Sequence, residues 1–193
     1  LLIEWYILFT LYKNCLNKFF IMSHVTLIKP PMVILRLVQS RATCPPLGIA
    51  YLAGSLRFVD HDVDVIDGVG ESIFQFTKIN NNQNIGHGLT LDEVVDRINP
   101  QTDFICLSTM FSIEWPYDYQ LIQKIKLKFP DKPIIIGGEH VTASADWILK
   151  NCNEVDFCVV GEGETKLVNL INYLSGLEDI FDSEGVISRK LIR

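Results

Sequence analysis

Pro133-Ile134-Ile135-Ile136-Gly137-Gly138-Glu139-His140 is the stretch that decides the fold. Three consecutive β-branched residues with no polar alternation describe a strand buried on both faces, the condition of a strand covered by helices on either side. Two glycines then stop it. Without Cβ atoms the backbone can turn sharply there and admit a flat or bulky ligand, and in open α/β sheets ligands sit outside the carboxyl ends of the strands.

The same order of apolar strand, small or polar residues and helix recurs outward from this point. Upstream, a strand from His24 to Lys29 is closed by Pro30-Pro31, and a helix runs from Pro46 to Phe58, its Gly48, Ala50, Ala53 and Gly54 small enough for close packing on a sheet. A second strand, Asp62 to Ile66, ends at Asp67-Gly68. Thr90 and Glu93 form a capping-box pattern that opens the next helix, and Pro100 ends it. Phe104 to Leu107 is the third strand, ending in Ser108-Thr109, followed by a helix with Leu121, Ile122, Ile125 and Phe129 on one face. Downstream of the central strand, a helix from Ser144 leads to strand Phe157 to Val160, which ends in Gly161-Glu162-Gly163-Glu164. The last helix carries Leu167, Leu170, Ile171 and Leu174 and closes at Gly176, and a strand-like piece spans Gly185 to Arg189.

Five such alternations predict an α/β fold: a flavodoxin-like (Rossmann-like), doubly wound, five-stranded parallel sheet in three α/β/α layers, with strand order 2-1-3-4-5. Its crevice is expected between the first and third strands, where the loops 30–45, 108–115, 137–142 and 161–164 converge. The connection from Met32 to Pro45 is long for a strand-to-helix loop, which marks it as functional. Residues 69–88, with the polar tract Asn80 to Asn84, read as an irregular, mobile excursion.

Composition narrows the function. A chain of 193 residues, 48% hydrophobic and 21% charged, buries one sizeable core, so one domain is expected. A net charge of -6 weighs against nucleic acid, and Lys124, Lys126 and Lys128 read as a solvated helix edge. The five cysteines, Cys15, Cys44, Cys106, Cys152 and Cys158, form no CxxC pair, so no zinc or compact iron-sulfur motif is encoded; reduced thiols in the cytoplasm are the expectation. Cys106, inside an apolar run, reads as a core residue. The segment 1–21 lacks an initiating Met, its apolar run is broken by Glu4 and is too short to span a bilayer, and no small-residue cleavage site precedes Met22. It is read as a non-native or disordered extension ahead of a domain of residues 22–190, with no membrane partner.

Most familiar chemistries fail on particular residues. Gly68-Val69-Gly70 and Gly161-Glu162-Gly163 each give two glycines of a dinucleotide fingerprint, with Ile73 and Lys166 where the third belongs. Glu162 and Glu164 occupy the helix N-terminal field that a pyrophosphate needs, and no Walker lysine follows any glycine loop. A phosphoacceptor domain would carry an aspartate where Ser108-Thr109 stands. His140 is the one histidine at the ligand edge, read evenly between a ligand contact and a loop-ordering cap; His61 and His87 read as surface loop residues. Glu139 and Glu162 are either ligand-edge acceptors or helix-dipole partners. No residue is assigned a catalytic or metal-binding role.

The succession PPLGIAYLAGSLR, HDVDVIDG, FICLSTMFS, IIIGGEHVTA and VDFCVVGEGET, over Val25 to Arg189, resembles the cobalamin-binding N-terminal domain of radical S-adenosylmethionine (radical SAM) enzymes, which include methyltransferases and the anaerobic magnesium-protoporphyrin ester cyclase group. The resemblance implies a corrin over the carboxyl ends of the strands, its nucleotide tail entering the crevice. It implies cofactor contacts from Cys44, Pro45, Pro46 and Leu47, from Ser108 and Thr109, from Gly137, Gly138, Glu139 and His140, and from Gly161, Glu162 and Gly163. Two departures matter. The loop beginning Lys29-Pro30-Pro31 contains no histidine, unlike the Asp-x-His-x-x-Gly motif of cobalamin mutases and methionine synthase, so no imidazole from this loop reaches the cobalt. No CxxxCxxC triad is present for the [4Fe-4S] cluster, so the S-adenosylmethionine chemistry belongs to a catalytic domain absent from this fragment. A sheet that has lost the corrin and serves as a docking module, and a flavin- or nucleotide-binding domain, are the alternatives.

Overall fold

The structure, a computed structural model, describes residues 22–35, 43–79, 84–178 and 184–189. The expectations for residues 1–21, for the middle of the 32–45 connection, for Asn80 to Gln83 and for the chain past Arg189 lie outside the described residues.

In chain order the elements are β1 (His24–Lys29), β2 (Met32–Leu35), α1 (Leu47–Phe58), β3 (Asp62–Asp67), a 3-10 turn (Gly70–Ser72), β4 (Phe76–Ile79), β5 (Asn84–His87), α2 (Leu91–Arg97), β6 (Phe104–Ser108), α3 (Trp115–Lys128), β7 (Ile134–Gly137), α4 (Glu139–Asn151), β8 (Phe157–Val159), α5 (Glu164–Leu174) and β9 (Val186–Ser188). The main sheet has the order β3-β1-β6-β7-β8-β9. Its first five strands are mutually parallel and reproduce the predicted 2-1-3-4-5 order. The sixth, β9, runs antiparallel to β8 and makes an edge of the piece predicted only as strand-like.

Alternation along the strands divides the core. Leu27, Cys106, Ile135 and Val159 pack with Ile49, Ala53 and Leu56 of α1 and Leu167, Leu170 and Ile171 of α5. Ile28, Ile105, Leu107, Ile134, Ile136 and Cys158 pack with α2, α3 and α4 on the opposite face. All three isoleucines of β7 are buried, Ile135 toward one layer and Ile134 and Ile136 toward the other. That is why the run shows no polar alternation.

Several expectations are corrected. The described residues of 69–88, 69–79 and 84–88, are structured: β4 and β5 form an antiparallel pair, and β2 from the long connection pairs with β5 to complete a separate sheet of order β2-β5-β4. Its docking on α3 includes the Val33 N–H, which donates to Glu114 Oε1 at 3.2 Å. Helix α4 begins at Glu139, not near Ser144, because its N-cap Gly138 takes φ 110°, a conformation that turns the chain from strand to helix without a loop. Gly48, Ala50 and Gly54 of α1 face outward, and Ala53 alone of the small residues contacts the sheet. His61 and His87 are buried. His61 accepts from the Ser23 N–H and bonds Asn172 Oδ1 at 2.9 Å, while His87 stacks on Phe76 and bonds the Ile73 carbonyl. The capping box stands as predicted, the Glu93 N–H donating to Thr90 Oγ1 and the Thr90 N–H to Glu93 Oε2. The lysine edge of α3 is tied to Asp92, Asp156 and Asp96. Among the described residues no helix is long and apolar enough to cross a membrane.

Candidate functional site

Parallel strands joined by helices leave their carboxyl ends at one edge, and there the layer of α1 and α5 stands off the sheet. Lower down the two helices are tightly packed, with Leu56, Leu170 and Ile171 fully buried. Toward the edge a cavity of about 220 Å³ lies between them and the sheet. Its floor is Leu27 of β1, Cys106 of β6, Ile135 of β7 and Val159 of β8, and its roof is Ile49 and Leu52 of α1 with Leu167 of α5. Ser108, Met110, Gly137, Gly138, Glu139 and the turn Gly161-Glu162-Gly163-Glu164 form the rim.

The rim is shaped by what its glycines omit. A Cβ on Gly138 would run into the Thr109 carbonyl, so β6 and β7 close on each other there with no space for a side chain. A Cβ on Gly163 would stand 3.2 Å from Leu52 Cδ2, which fixes how closely the start of α5 approaches α1. Gly48 is the reverse case: a Cβ there meets nothing within 4 Å. A side chain at that point of the wall would enter open space. The 161–164 turn is held from two sides, the Gly161 N–H donating to Thr142 Oγ1 at 3.0 Å and Lys166 Nζ to the Val160 carbonyl at 2.6 Å. Helices α4 and α5 both start at the rim, each with a carboxylate, Glu139 or Glu164, in its first turn. Burial pushes the Cys106 thiol well up, so it stays protonated and presents a weakly polar surface to the cavity.

Of the residues singled out in the sequence, Ser108, Gly137, Gly138, Glu139, Gly161, Glu162 and Gly163 come together around this cavity. Cys44, Pro45, Pro46, Leu47, Thr109 and His140 do not line it. Cys44 lies by the ends of β1 and β3, where Lys29 Nζ reaches both its carbonyl, at 3.3 Å, and Asp67 Oδ1. Pro46 caps α1 without a side-chain hydrogen bond, and Leu47 is exposed. Thr109 is fully buried, its N–H donating to the Gly137 carbonyl at 2.8 Å. His140 points to the other layer: Nδ1 is 2.9 Å from Ser112 Oγ and the ring lies 4.8 Å from that of Trp115. Burial lowers its pKa, so the imidazole is neutral at pH 7 and orders the 109–113 loop. The floor and roof residues were missed as site residues. Their signal, apolar positions at strand and helix periods, is that of any core.

The cavity is smaller than the roughly 300–1,000 Å³ of pockets that enclose a whole drug-sized ligand. It is open at the edge, apolar within and flanked by carboxylates at its mouth, which suits one aromatic arm of a larger ligand whose bulk stays outside. Among the described residues no cluster of three or more His, Cys, Asp or Glu side chains is placed to hold a metal ion. Fold and site together define a flavodoxin-like domain that offers a large cofactor a slot at its carboxyl edge.

Residues 34–171 match the profile of the B12 binding domain, and the chain belongs to that family. Cobalamin is the cofactor the family binds, and the glycine-rimmed slot, with open space beside Gly48, fits it. The chain is 30% identical over 154 residues to an uncharacterized methyltransferase of Pyrococcus horikoshii, an overlap covering 78% of this chain and 29% of that protein. It is 27% identical over 169 residues to the anaerobic magnesium-protoporphyrin IX monomethyl ester cyclase of Synechocystis sp., covering 86% of this chain and 30% of that one. The chain thus spans under a third of the length of either relative.

Proposed function

We propose that the chain is the cobalamin-carrying domain of a longer cobalamin-dependent radical SAM enzyme, with the corrin across the carboxyl edge of the sheet and its nucleotide tail in the cavity beneath α1 and α5. The observation that carries this reading is the cavity itself, a slot sized for one arm of a cofactor and placed where the strands end. Bound cobalamin supplies methyl-group transfer or one-electron chemistry. The residues of this chain hold and orient it. Leu27, Ile49, Leu52 and Leu167 exclude water from the tail, and Lys166 and Thr142 keep the 161–164 turn of the rim in place. The connection from Lys29 to Pro45 carries no histidine, so no imidazole from this loop reaches the cobalt.

Both relatives are more than three times the length of the shared segment, and their names describe different reactions, which supports a shared cofactor module serving distinct catalytic partners. The [4Fe-4S] cluster, S-adenosylmethionine and the substrate belong, in this reading, to that remaining part. A docking module that has lost its corrin would have let side chains fill the slot, and the open cavity speaks against it. The test is titration of the purified chain with hydroxocobalamin and methylcobalamin, followed by the visible corrin spectrum and by gel filtration. Co-elution of colour and protein with a base-off spectrum is expected. A spectrum with a ligated imidazole, or no binding well above micromolar concentrations, would overturn the proposal.

A further inference from the structure

We infer that residues 8–20 dock as an amphipathic helix in the outer groove between α1 and α5, so that the segment ahead of β1 covers a surface of its own chain. The inference does not depend on the proposed function.

The groove is open and measures about 470 Å³. Tyr51, Gly54, Ser55 and Phe58 of α1 form one wall, and Thr165 and Val168 of α5 form the other. The α1 positions are i, i+3, i+4 and i+7, the spacing at which one helix meets another. Yet Tyr51 is 59% exposed and Phe58 89%. Between them Gly54 leaves room for a close approach, since a Cβ there would meet no atom within 4 Å.

The complementary face stands in the sequence. Placed on a helix, Leu8, Phe9, Leu11, Tyr12, Cys15, Leu16, Phe19 and Phe20 fall on one side, and Thr10, Lys13, Asn14, Asn17 and Lys18 fall on the other. Such a helix is about 20 Å long, close to the length of the 12-residue α1. The chain also enters the fold at the right point. Ser23 lies between the carboxyl ends of the two helices: its N–H donates to His61 Nδ1 at 3.4 Å, and its hydroxyl is 2.5 Å from that of Ser175, the C-cap residue of α5. Phe58 and Val59 mark the same end of the groove. Residues 21 and 22 therefore suffice to join β1 to a helix lying in the groove parallel to α1 and α5. A tether this short gives an effective concentration of about millimolar, which favours this segment over a separate partner.

The experiment is disulfide capture in the full chain. Cys15 lies near the middle of the segment, on its apolar side, and Ala50→Cys or Gly54→Cys sets a second thiol in or beside the α1 wall. Cys44→Ser removes the exposed native thiol, and Cys106, Cys152 and Cys158 are buried. Mild oxidation should join Cys15 to the new cysteine within one chain, read by peptide mass and by migration on a non-reducing gel. A covalent dimer would assign the groove to the segment of a second copy and overturn docking within one chain. Trypsin supplies the second arm. Cleavage after Lys13 and Lys18 needs the helix to open, so it should be about tenfold or more slower in the wild type than in Tyr12→Asp, which spoils the apolar side. Gly54→Arg should release the same cleavage from the groove side, its Cβ entering open space so that α1 is retained. Equal cleavage in the wild type and both of these variants, or no disulfide in either cysteine variant, overturns the inference.

Discussion

Gly137 and Gly138 are adjacent, both line the cavity, and the structure predicts opposite outcomes when each is replaced by alanine. Gly138 sits at φ 110° and ψ 177°, a region open essentially to glycine, so alanine there costs about 1–3 kcal/mol in conformation alone. The added methyl also meets the Thr109 carbonyl oxygen, with Met110 Sδ 3.3 Å away. Thr109 cannot retreat freely, because its N–H is bonded to the Gly137 carbonyl at 2.8 Å; making space means opening the end of the β6–β7 pairing. A loss near 2 kcal/mol corresponds to a fall in Tm of about 4–8 °C for a chain of this size. Gly137 has no positive φ, and its Cβ would lie 3.4 Å from the Val159 carbonyl and 3.8 Å from Val159 Cβ, both ordinary contacts. Alanine there restricts the unfolded chain and should be neutral or stabilising by up to about 1 kcal/mol. Urea unfolding followed by far-UV circular dichroism separates the two. Equal losses in the two variants, or a neutral Gly138→Ala, would refute the view that one glycine's backbone turns β7 into α4. The same geometry makes any bulky residue at Gly138 a lesion of the fold and a poor plug for the cavity.

Two further outcomes are expected. Thr90→Ala removes the capping box of the seven-residue α2 and should cost about 1 kcal/mol in urea unfolding at neutral pH. The Glu93 carboxyl is held below its usual range, first by the Thr90 backbone N–H, so its half of the box is present above the ordinary carboxylate range and lost as pH falls through the lowered folded value; alanine keeps that N–H, so the variant should retain most of this pH dependence and lie below wild type across the range. Asp118 is 3% exposed, and burial, then Glu114, pushes its pKa well above the usual value. The folded chain therefore keeps a proton that the unfolded chain has released, and stability falls as pH rises from the ordinary carboxylate range toward the raised folded value. Asp118→Asn should flatten that slope above the ordinary carboxylate range and be at least as stable as wild type at its upper end; an unchanged slope would show that Asp118 is not its source.

The parts of the fold that were legible are those with local causes. Ile134, Ile135 and Ile136 read as a doubly covered strand because burial on both faces suppresses polar alternation, and Thr90 with Glu93 read as a helix start because the bonds that make the cap lie within four residues. The antiparallel sheet was not legible. Its strands β4 and β5 have four residues each, and their partner β2 lies more than forty residues upstream in a segment bounded by prolines, so neither period nor turn chemistry announced it. His140 shows how a boundary decides a role. With α4 starting at Ser144 it belongs to a loop at the ligand edge. Starting at Glu139 puts it in the first turn, on the side that packs against Trp115. The cavity walls were hidden for a different reason. Leu27, Ile49, Leu52 and Leu167 are spaced as core residues are, and only the cavity they enclose at one end of the layer distinguishes a wall from a filled interior.

That cavity carries a cost which bears on why the chain keeps it. An enclosed dry void costs about 24 cal/mol per Å³, and this cavity, though open at the rim, carries part of that penalty. Water entering at the rim lowers that figure but cannot satisfy walls made of leucine, isoleucine and valine. Gly48 lines the cavity from the exposed side of α1, where a Cβ would meet no atom within 4 Å. Gly48→Leu should raise the Tm of the ligand-free chain by replacing a helical glycine. A substitution that stabilises the empty chain while weakening cobalamin binding is the signature of a cavity maintained for a ligand; a destabilised Gly48→Leu would mean that the space is already closed by the packing of α1 against α5.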